Sequence, residues 1–270
     1  MTSLEDIIKN LDENKAREVI INFFSSEPKI AFRESKRILC IQPHADDTDV
    51  AAGGTIAKLA KEGKEIIYVT MTDDRLGTFN PELWPEKLAK IRYLEQKEAA
   101  KILGVKKLIW LNYRDSELLP NLEIRNRLIH IIRRLRPDII MTVDPWLTYE
   151  AHPDHRYTGI LACEAALFSA FPHACPEDLR EGIKPHSVRF IAFYWSRKPN
   201  VYIDITDYMD IKLRAIQAHK SQFSDNWETF EQILRAYSCF LGKRIGVKYA
   251  EAFKIVKPSH LHCNVFTEDL

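Results

Sequence analysis

Two four-residue runs concentrate the groups that bind metals and move protons. They are His44-Ala45-Asp46-Asp47 and, about a hundred residues later, His152-Pro153-Asp154-His155. Pooled, they offer His44, Asp47 and His155 as metal ligands. Two imidazoles and one carboxylate form a common catalytic zinc set, with a fourth position left for water. Asp46 and His152 remain over. A spare carboxylate beside the ligands suits a general base for that water. A spare imidazole, as imidazolium, suits stabilisation of an oxyanion and protonation of a leaving amine. Asp154 is the candidate to orient His152 through its free ring nitrogen. An Asp pair ahead of a helix also reads as an ordinary cap, an alternative open to Asp46 and Asp49. A lone H-x-x-H recurs by chance, so the weight here comes from two clusters that each follow an expected sheet strand.

Those strands emerge from an alternating pattern. Residues 3–24 read as an amphipathic helix with Leu4, Ile7, Ile8 and Leu11 on one face, and residues 25–36 as a polar connection. Short apolar or β-branched strands are expected at 38–41, 65–71, 107–111 and 138–143. Helices are expected at 49–61, 84–103, 122–135 and 155–171, the second closed by Gly104 as a C-cap. Strands alternating with helices of this length indicate parallel βαβ units. The tail changes character, with strands at 189–195 and 201–205 and helices at 207–222 and 227–241. The expected fold is therefore α/β and Rossmann-like: a mostly parallel sheet flanked by helices, with C-terminal additions. One domain covers 1–270, comprising helix 3–24, α/β core 37–172, strands and helices 186–256, and tail 257–270. In open α/β sheets, ligands bind outside the carboxyl ends of the strands. His44–Asp47 follow the strand at 38–41, and His152–His155 follow the exit of the strand at 138–143. The topology thus brings both runs to one edge.

Composition narrows the class. Apolar content of 46% is ample for a core, and a net charge of +1 argues against a nucleic-acid grip driven by bulk charge. Five scattered cysteines without a C-x-x-C read as reduced intracellular thiols. The start Met1-Thr2-Ser3-Leu4-Glu5-Asp6 lacks the basic and apolar regions of a signal peptide. The least polar long stretch, 160–171, is too short to span a bilayer and contains Glu164. A cytoplasmic protein with no membrane and no nucleic-acid partner is expected.

The same residues carry a resemblance. The strand followed by Pro43-His44-Ala45-Asp46-Asp47, the Gly53-Gly54 helix, Thr72-Asp73 and His152-Pro153-Asp154-His155 resemble the PIG-L/LmbE family of zinc-dependent N-deacetylases. The likeness runs through Arg92, Glu95 and Leu103-Gly104 to Asp204-Ile205-Thr206-Asp207 and His219-Lys220-Ser221-Gln222-Phe223, roughly residues 37–256. Within the family it is greatest to the archaeal diacetylchitobiose deacetylases, through Asp144-Pro145-Trp146 and the run from Glu150 to Gly159. The resemblance implies removal of acetyl groups from N-acetylglucosamine units. By motif position it implies His44, Asp47 and His155 as zinc ligands, Asp46 as general base and His152 as the oxyanion-stabilising residue. Ala45 stands where the family usually has Pro, which binds no metal. Asp74 stands where it usually has Gly, in a turn that borders the sugar site.

Further candidates surround this set. The resemblance implies that Arg92 hydrogen-bonds sugar hydroxyls from the rim; the plain alternative is a solvated helix arginine. Asp115, past the third strand, would bind a hydroxyl or pair with Arg92. Trp146, on the ligand-bearing loop, offers a face for a sugar ring. Trp84, Tyr149 and Trp195 are more ordinarily core, and His219 reads as a locally bonded helix residue. In the tail, His260 and His262 would reach a neighbouring active site in a homo-oligomer; the archaeal relatives suggest a trimer-based assembly, a hexamer included. The plain alternative is a frayed terminus. Gly53-Gly54 lacks the spacing of a phosphate loop and reads as a close helix-packing site beside the metal.

The expected function is zinc-dependent hydrolysis of the acetamide of a small N-acetylglucosamine saccharide such as diacetylchitobiose, releasing acetate. The rivals are a metal-dependent phosphoesterase, which would ordinarily want more carboxylates for two metals, and a carbohydrate- or metal-binding module without turnover.

Overall fold

The computed structural model describes residues 12–24 and 28–270. Helix α1 covers Glu13–Phe24; residues 3–11 of the expected first helix lie outside the described residues. A short α2 (Ala31–Glu34) leads into β1 (Arg37–Gln42), α3 (Asp47–Lys61) and β2 (Glu65–Thr72). Then follow α4 (Pro85–Leu103), β3 (Lys107–Tyr113), α5 (Leu122–Leu135), β4 (Ile139–Val143) and α6 (Pro153–Phe168). The last part holds α7 (Pro176–Arg180), β5 (Phe190–Tyr194), β6 (Val201–Asp204), α8 (Met209–Gln217), α9 (Lys220–Phe223), α10 (Trp227–Gly242) and β7 (Ala250–Val256).

The seven strands form a sheet in the order β3-β2-β1-β4-β5-β7-β6. The first five pair in parallel, and β7 runs antiparallel to both β5 and β6. This is the Rossmann-like, mostly parallel sheet expected from the alternation, with an antiparallel addition. The run Ile38-Leu39-Cys40-Ile41 shows why β1 is central. Successive side chains of a strand point to opposite faces. Ile38 and Cys40 pack with Ile56 and Leu103 on one face, while Leu39 and Ile41 pack with Leu128 and Leu161 on the other. A strand buried on both faces carries an unbroken apolar run. Burying one such side chain is worth roughly 1.5–3 kcal/mol.

Local signals set the boundaries. Pro85 opens α4, and Gly104 closes it at φ 81, a left-handed cap that suits glycine. The side chain of Asn121 caps α5 by accepting from the Ile124 N–H. Gly159 lets α6 lie against the exit of β4: a Cβ there would stand 2.7 Å from the Val143 carbonyl oxygen and 2.8 Å from Pro145.

Two expectations need correcting. The single helix at 207–222 is broken at His219, whose ψ of 61 leaves the helical region. The break lets its Nε2 meet Asp49 Oδ2 at 2.8 Å, a long-range contact rather than a local one. A strand at 250–256 was not expected. Its alternation is masked by buried Glu251, which pairs with Lys212 at 2.7 Å and accepts the N–H groups of Gly54 and Thr55. Among the described residues, no helix is long and apolar enough to cross a membrane.

Candidate active site

The sheet order reverses at β1, whose neighbours β2 and β4 feed connections on opposite sides. That switch point is where open α/β sheets bind ligands. The β1 exit delivers His44, Asp46 and Asp47. The β4 exit loop delivers His152 and, on the first turn of α6, His155. The structure gathers His44, Asp47 and His155 with donor atoms within 4.8 Å of one another.

The geometry inside that group is specific. The Asp47 carboxylate lies between two imidazoles, with Oδ2 3.4 Å from His44 Nδ1 and Oδ1 3.5 Å from His155 Nε2. Tetrahedral zinc with bonds of about 2.0–2.1 Å sets neighbouring ligand atoms about 3.3 Å apart. The second nitrogen of each imidazole lies near a carboxylate: His44 Nε2 is hydrogen-bonded to Asp154 Oδ2 at 3.1 Å, and His155 Nδ1 lies 3.3 Å from Glu150 Oε2 without a hydrogen bond. Carboxylates behind ligand histidines fix the tautomer and ring direction. Trp195 stacks on the His155 ring at 5.8 Å and 14°. The donor set, the spacing and the backing carboxylates all fit a bound divalent metal.

A second group, His44, Asp115, His152 and Asp154, also lies within 4.8 Å. It uses the other nitrogen of His44. A neutral imidazole has one lone pair, so His44 can serve only one of the two groups at a time. Asp154 is already taken, accepting the Ser116 N–H at 2.7 Å and the Leu118 N–H at 3.3 Å. Asp115 accepts the Leu76 N–H at 2.9 Å. The group around Asp47 is therefore the better cation site, and a two-metal phosphoesterase centre is disfavoured.

Asp154 requires a correction. Its side chain does not orient His152; it is fully buried and turned to His44. What His152 receives from Asp154 is the backbone N–H, donated to Nδ1 at 3.3 Å. With Nδ1 an acceptor, the neutral ring carries its proton on Nε2. Burial, together with His44 and His155, pushes His152 below the ordinary histidine value.

Asp46 caps α3 by position, at φ 81, yet its side chain makes no capping bond. It lines a cleft of about 360 Å³ together with His44, Arg92, Asp115, Ser116 and His152. Burial and the neighbouring Asp47 push its carboxyl above the ordinary range, against the pull of Arg92. His44 moves the other way from what burial dictates. Asp115, Asp154 and Asp47 hold its proton well above the usual value, and a metal ion would displace that proton.

The remaining candidates scatter. Arg92 is not a rim residue: it is 2% exposed, drawn inward by Asp74 at 2.6 Å. Asp115 does not pair with Arg92; its Oδ1 lies 3.4 Å from His44 Nε2. Trp146 leaves the cleft. It packs edge-on to Phe193 and borders a separate cavity of about 950 Å³ with His260 and Leu261. His262 is exposed in the tail, while His260 is buried. Gly53-Gly54 does pack closely, but against Lys212 and Ile205 rather than beside the metal group. Sequence reading passed over Glu150 and Gln96. Gln96 had one available signal, its place one turn beyond Arg92 on α4.

One backbone feature rings the whole site. Each parallel strand is followed by a non-glycine residue in the left-handed region: Asp46, Asp74, Ser116, Tyr149 and Trp195, with φ of 81, 55, 66, 72 and 56. Such conformations cost of order 1–3 kcal/mol each and gather at functional sites.

Comparison with known proteins agrees with the geometry. The family model described as PIG-L, GlcNAc-PI de-N-acetylase, matches residues 39–166, a span that contains both histidine-bearing exits. The diacetylchitobiose deacetylase of Thermococcus kodakarensis is 42% identical over 243 residues, 90% of each chain. A probable N-acetyl-alpha-D-glucosaminyl L-malate deacetylase of Bacillus anthracis is 31% identical over 200 residues, 71% of this chain and 84% of its own. The solved structure of N,N'-diacetylchitobiose deacetylase from Pyrococcus horikoshii, complexed with its inhibitor MPG, superposes with a TM-score of 0.90 at 44% identity. That match covers 97% of this chain and all of the other. Likeness of this depth, running through β1, β4 and the loops that bring the histidines together, shows that the chain belongs to the PIG-L family of de-N-acetylases.

Proposed function

We propose that this chain is a zinc-dependent deacetylase that removes the acetyl group from small N-acetylglucosamine saccharides, diacetylchitobiose foremost, and releases acetate. The observation that carries the reading is the Asp47 carboxylate held between His44 Nδ1 and His155 Nε2 at 3.4 and 3.5 Å, with Asp46 and His152 beside it. The relatives' substrates support the choice of sugar.

His44, Asp47 and His155 would hold the metal. Zinc bound there supplies Lewis acidity for the amide carbonyl and lowers the pKa of a water from about 15.7 to about 7. Asp46, with its raised basicity, accepts the proton of the attacking water. The Nε2–H of His152 donates to the oxyanion as the carbonyl carbon becomes tetrahedral. The proton held on Asp46 then serves the departing amine, so that acetate and a free amino sugar result. The cleft volume of about 360 Å³ sits at the low end for ligand pockets, which run from about 300 to 1,000 Å³. Asp115 and Ser116 offer polar anchors for sugar hydroxyls.

The proposal extends to setting. All five cysteines are free, as suits a cytoplasmic enzyme. Ile233, Tyr237 and Phe240 stand exposed along one stripe of α10, as suits a homo-oligomer, trimer-based, whose mass light scattering would read.

The test is acetate release from N-acetylglucosamine, diacetylchitobiose, a simple aliphatic acetamide and a phosphomonoester, with and without a chelator. Chelator-sensitive release from the sugars alone supports the reading. Sugar binding without acetate release, or phosphate release, overturns it.

A further inference from the structure

Residue 45 lies between the candidate ligand His44 and the candidate base Asp46, and both of its backbone polar groups are held by one buried ion pair. The Ala45 N–H donates to Asp74 Oδ2 at 3.0 Å, and the Ala45 carbonyl accepts from Arg92 Nη2 at 3.2 Å. Arg92 Nε donates to that same Asp74 oxygen at 2.6 Å. Arg92 Nη2 then continues to Asp46 Oδ2 at 3.2 Å. Three elements meet in this arrangement: the β1 exit, the β2 exit and α4. One turn along α4, Gln96 Oε1 accepts the Asp46 N–H at 3.1 Å, so both ends of the Asp46 segment are tethered to one helix face.

Asp46 needs restraint because its φ of 81 is disfavoured for any residue with a Cβ. Asp74 is itself at φ 55, where glycine would sit without cost. An aspartate there carries strain, and its carboxylate is spent wholly inward. Arg92 is equally withdrawn. The pair's side chains are 3% and 4% exposed, and the remaining Arg92 nitrogen, Nη1, is buried without a hydrogen-bond partner.

We propose that Asp74 and Arg92 are a positioning pair that locks the Ala45 peptide and directs the Asp46 carboxylate into the cleft. The inference rests on the reading of Asp46 as proton acceptor given above.

The experiment is a double-mutant cycle on the full-length, metal-loaded protein, using Asp74→Gly, Asp46→Asn and both together, with kcat and KM on diacetylchitobiose, metal content and Tm. Asp74→Gly should keep its metal, lower kcat by about 10- to 100-fold and leave KM within about twofold. Asp74→Asn, whose amide oxygen still accepts from Ala45, should recover most of that loss. The double variant should be no slower than Asp46→Asn alone, because the pair acts through Asp46. Losses that multiply in the double variant, or a loss expressed in KM, overturn the inference. Should Asp74→Gly not fold, Arg92→Lys serves in its place. A point charge cannot span Asp74, Ala45 and Asp46 together, so kcat should fall with KM unchanged; wild-type kcat overturns the inference. If Asp46→Asn itself turns over normally, it is the assignment of the base that fails. If Asp46→Asn is slow and the Asp74 variants are not, only the positioning role fails.

Discussion

Asp154 and His44, 110 positions apart in the chain, meet at 3.1 Å between Oδ2 and Nε2. The contact turns the other ring nitrogen toward Asp47 and ties the β4 exit to the β1 exit. Residues that back a metal ligand in this way typically carry 10- to 100-fold in metal affinity. Asp154→Asn should weaken zinc binding by about that factor in a competition titration with a chelator. Asp154→Ala should also lower stability by about 1–3 kcal/mol in chemical denaturation, because the Ser116 and Leu118 N–H groups lose their acceptor. Unchanged zinc affinity in both variants would remove Asp154 from the site.

The ligand assignment predicts about one zinc per chain in purified protein. His44→Ala, Asp47→Ala and His155→Ala should each lower metal content and acetate release together, as read by elemental analysis beside the activity assay. Chelation of the wild type should abolish turnover, and added zinc should restore it. Three variants that keep full metal would move the site elsewhere.

For Asp46 the expectation is separation of binding from chemistry. Asp46→Asn keeps the shape and removes the basicity. Zinc should stay, and kcat should drop by about 10²–10⁴. Near-normal kcat with metal bound would assign the proton to another group.

Gly159 tests how the scaffold holds the site. Its missing Cβ leaves room for the Val143 carbonyl and Pro145. Gly159→Ala should cost about 1–3 kcal/mol of stability, the usual range for overpacking. Because α6 carries His155, zinc affinity should fall with it. A variant as stable as the wild type would mean that α6 can shift without consequence.

How far these features could be read in advance depends on what each residue does. β1 was legible because burial on both faces demands the unbroken run Ile38-Leu39-Cys40-Ile41. The meeting of His44, Asp47 and His155 was legible because each follows a strand whose direction the alternation fixes. Asp154 was not, since its backbone is committed to His152 while its side chain turns to a histidine from another loop. Arg92 was misplaced for a related reason. Its partner Asp74 comes from the turn after β2, a contact that no local pattern in α4 reveals. The strand at 250–256 stayed hidden because Glu251 and Lys254 are charged residues facing inward, a pattern that hydrophobic alternation cannot reveal.

The five left-handed residues beyond β1 to β5 bear on the order in which the molecule assembles and loosens. At Ser116, Tyr149 and Trp195 the turn is no local preference, so it is held by neighbours that arrive with the finished sheet. The helices and strands can form without these turns; the metal cleft cannot. This end of the sheet is then the last region to settle and the first to open, because local opening there releases stored backbone strain while the rest of the sheet stays paired. Amide exchange in the native protein should run faster at these exits than in the strands that feed them, and bound metal should slow it by tying β1 to β4.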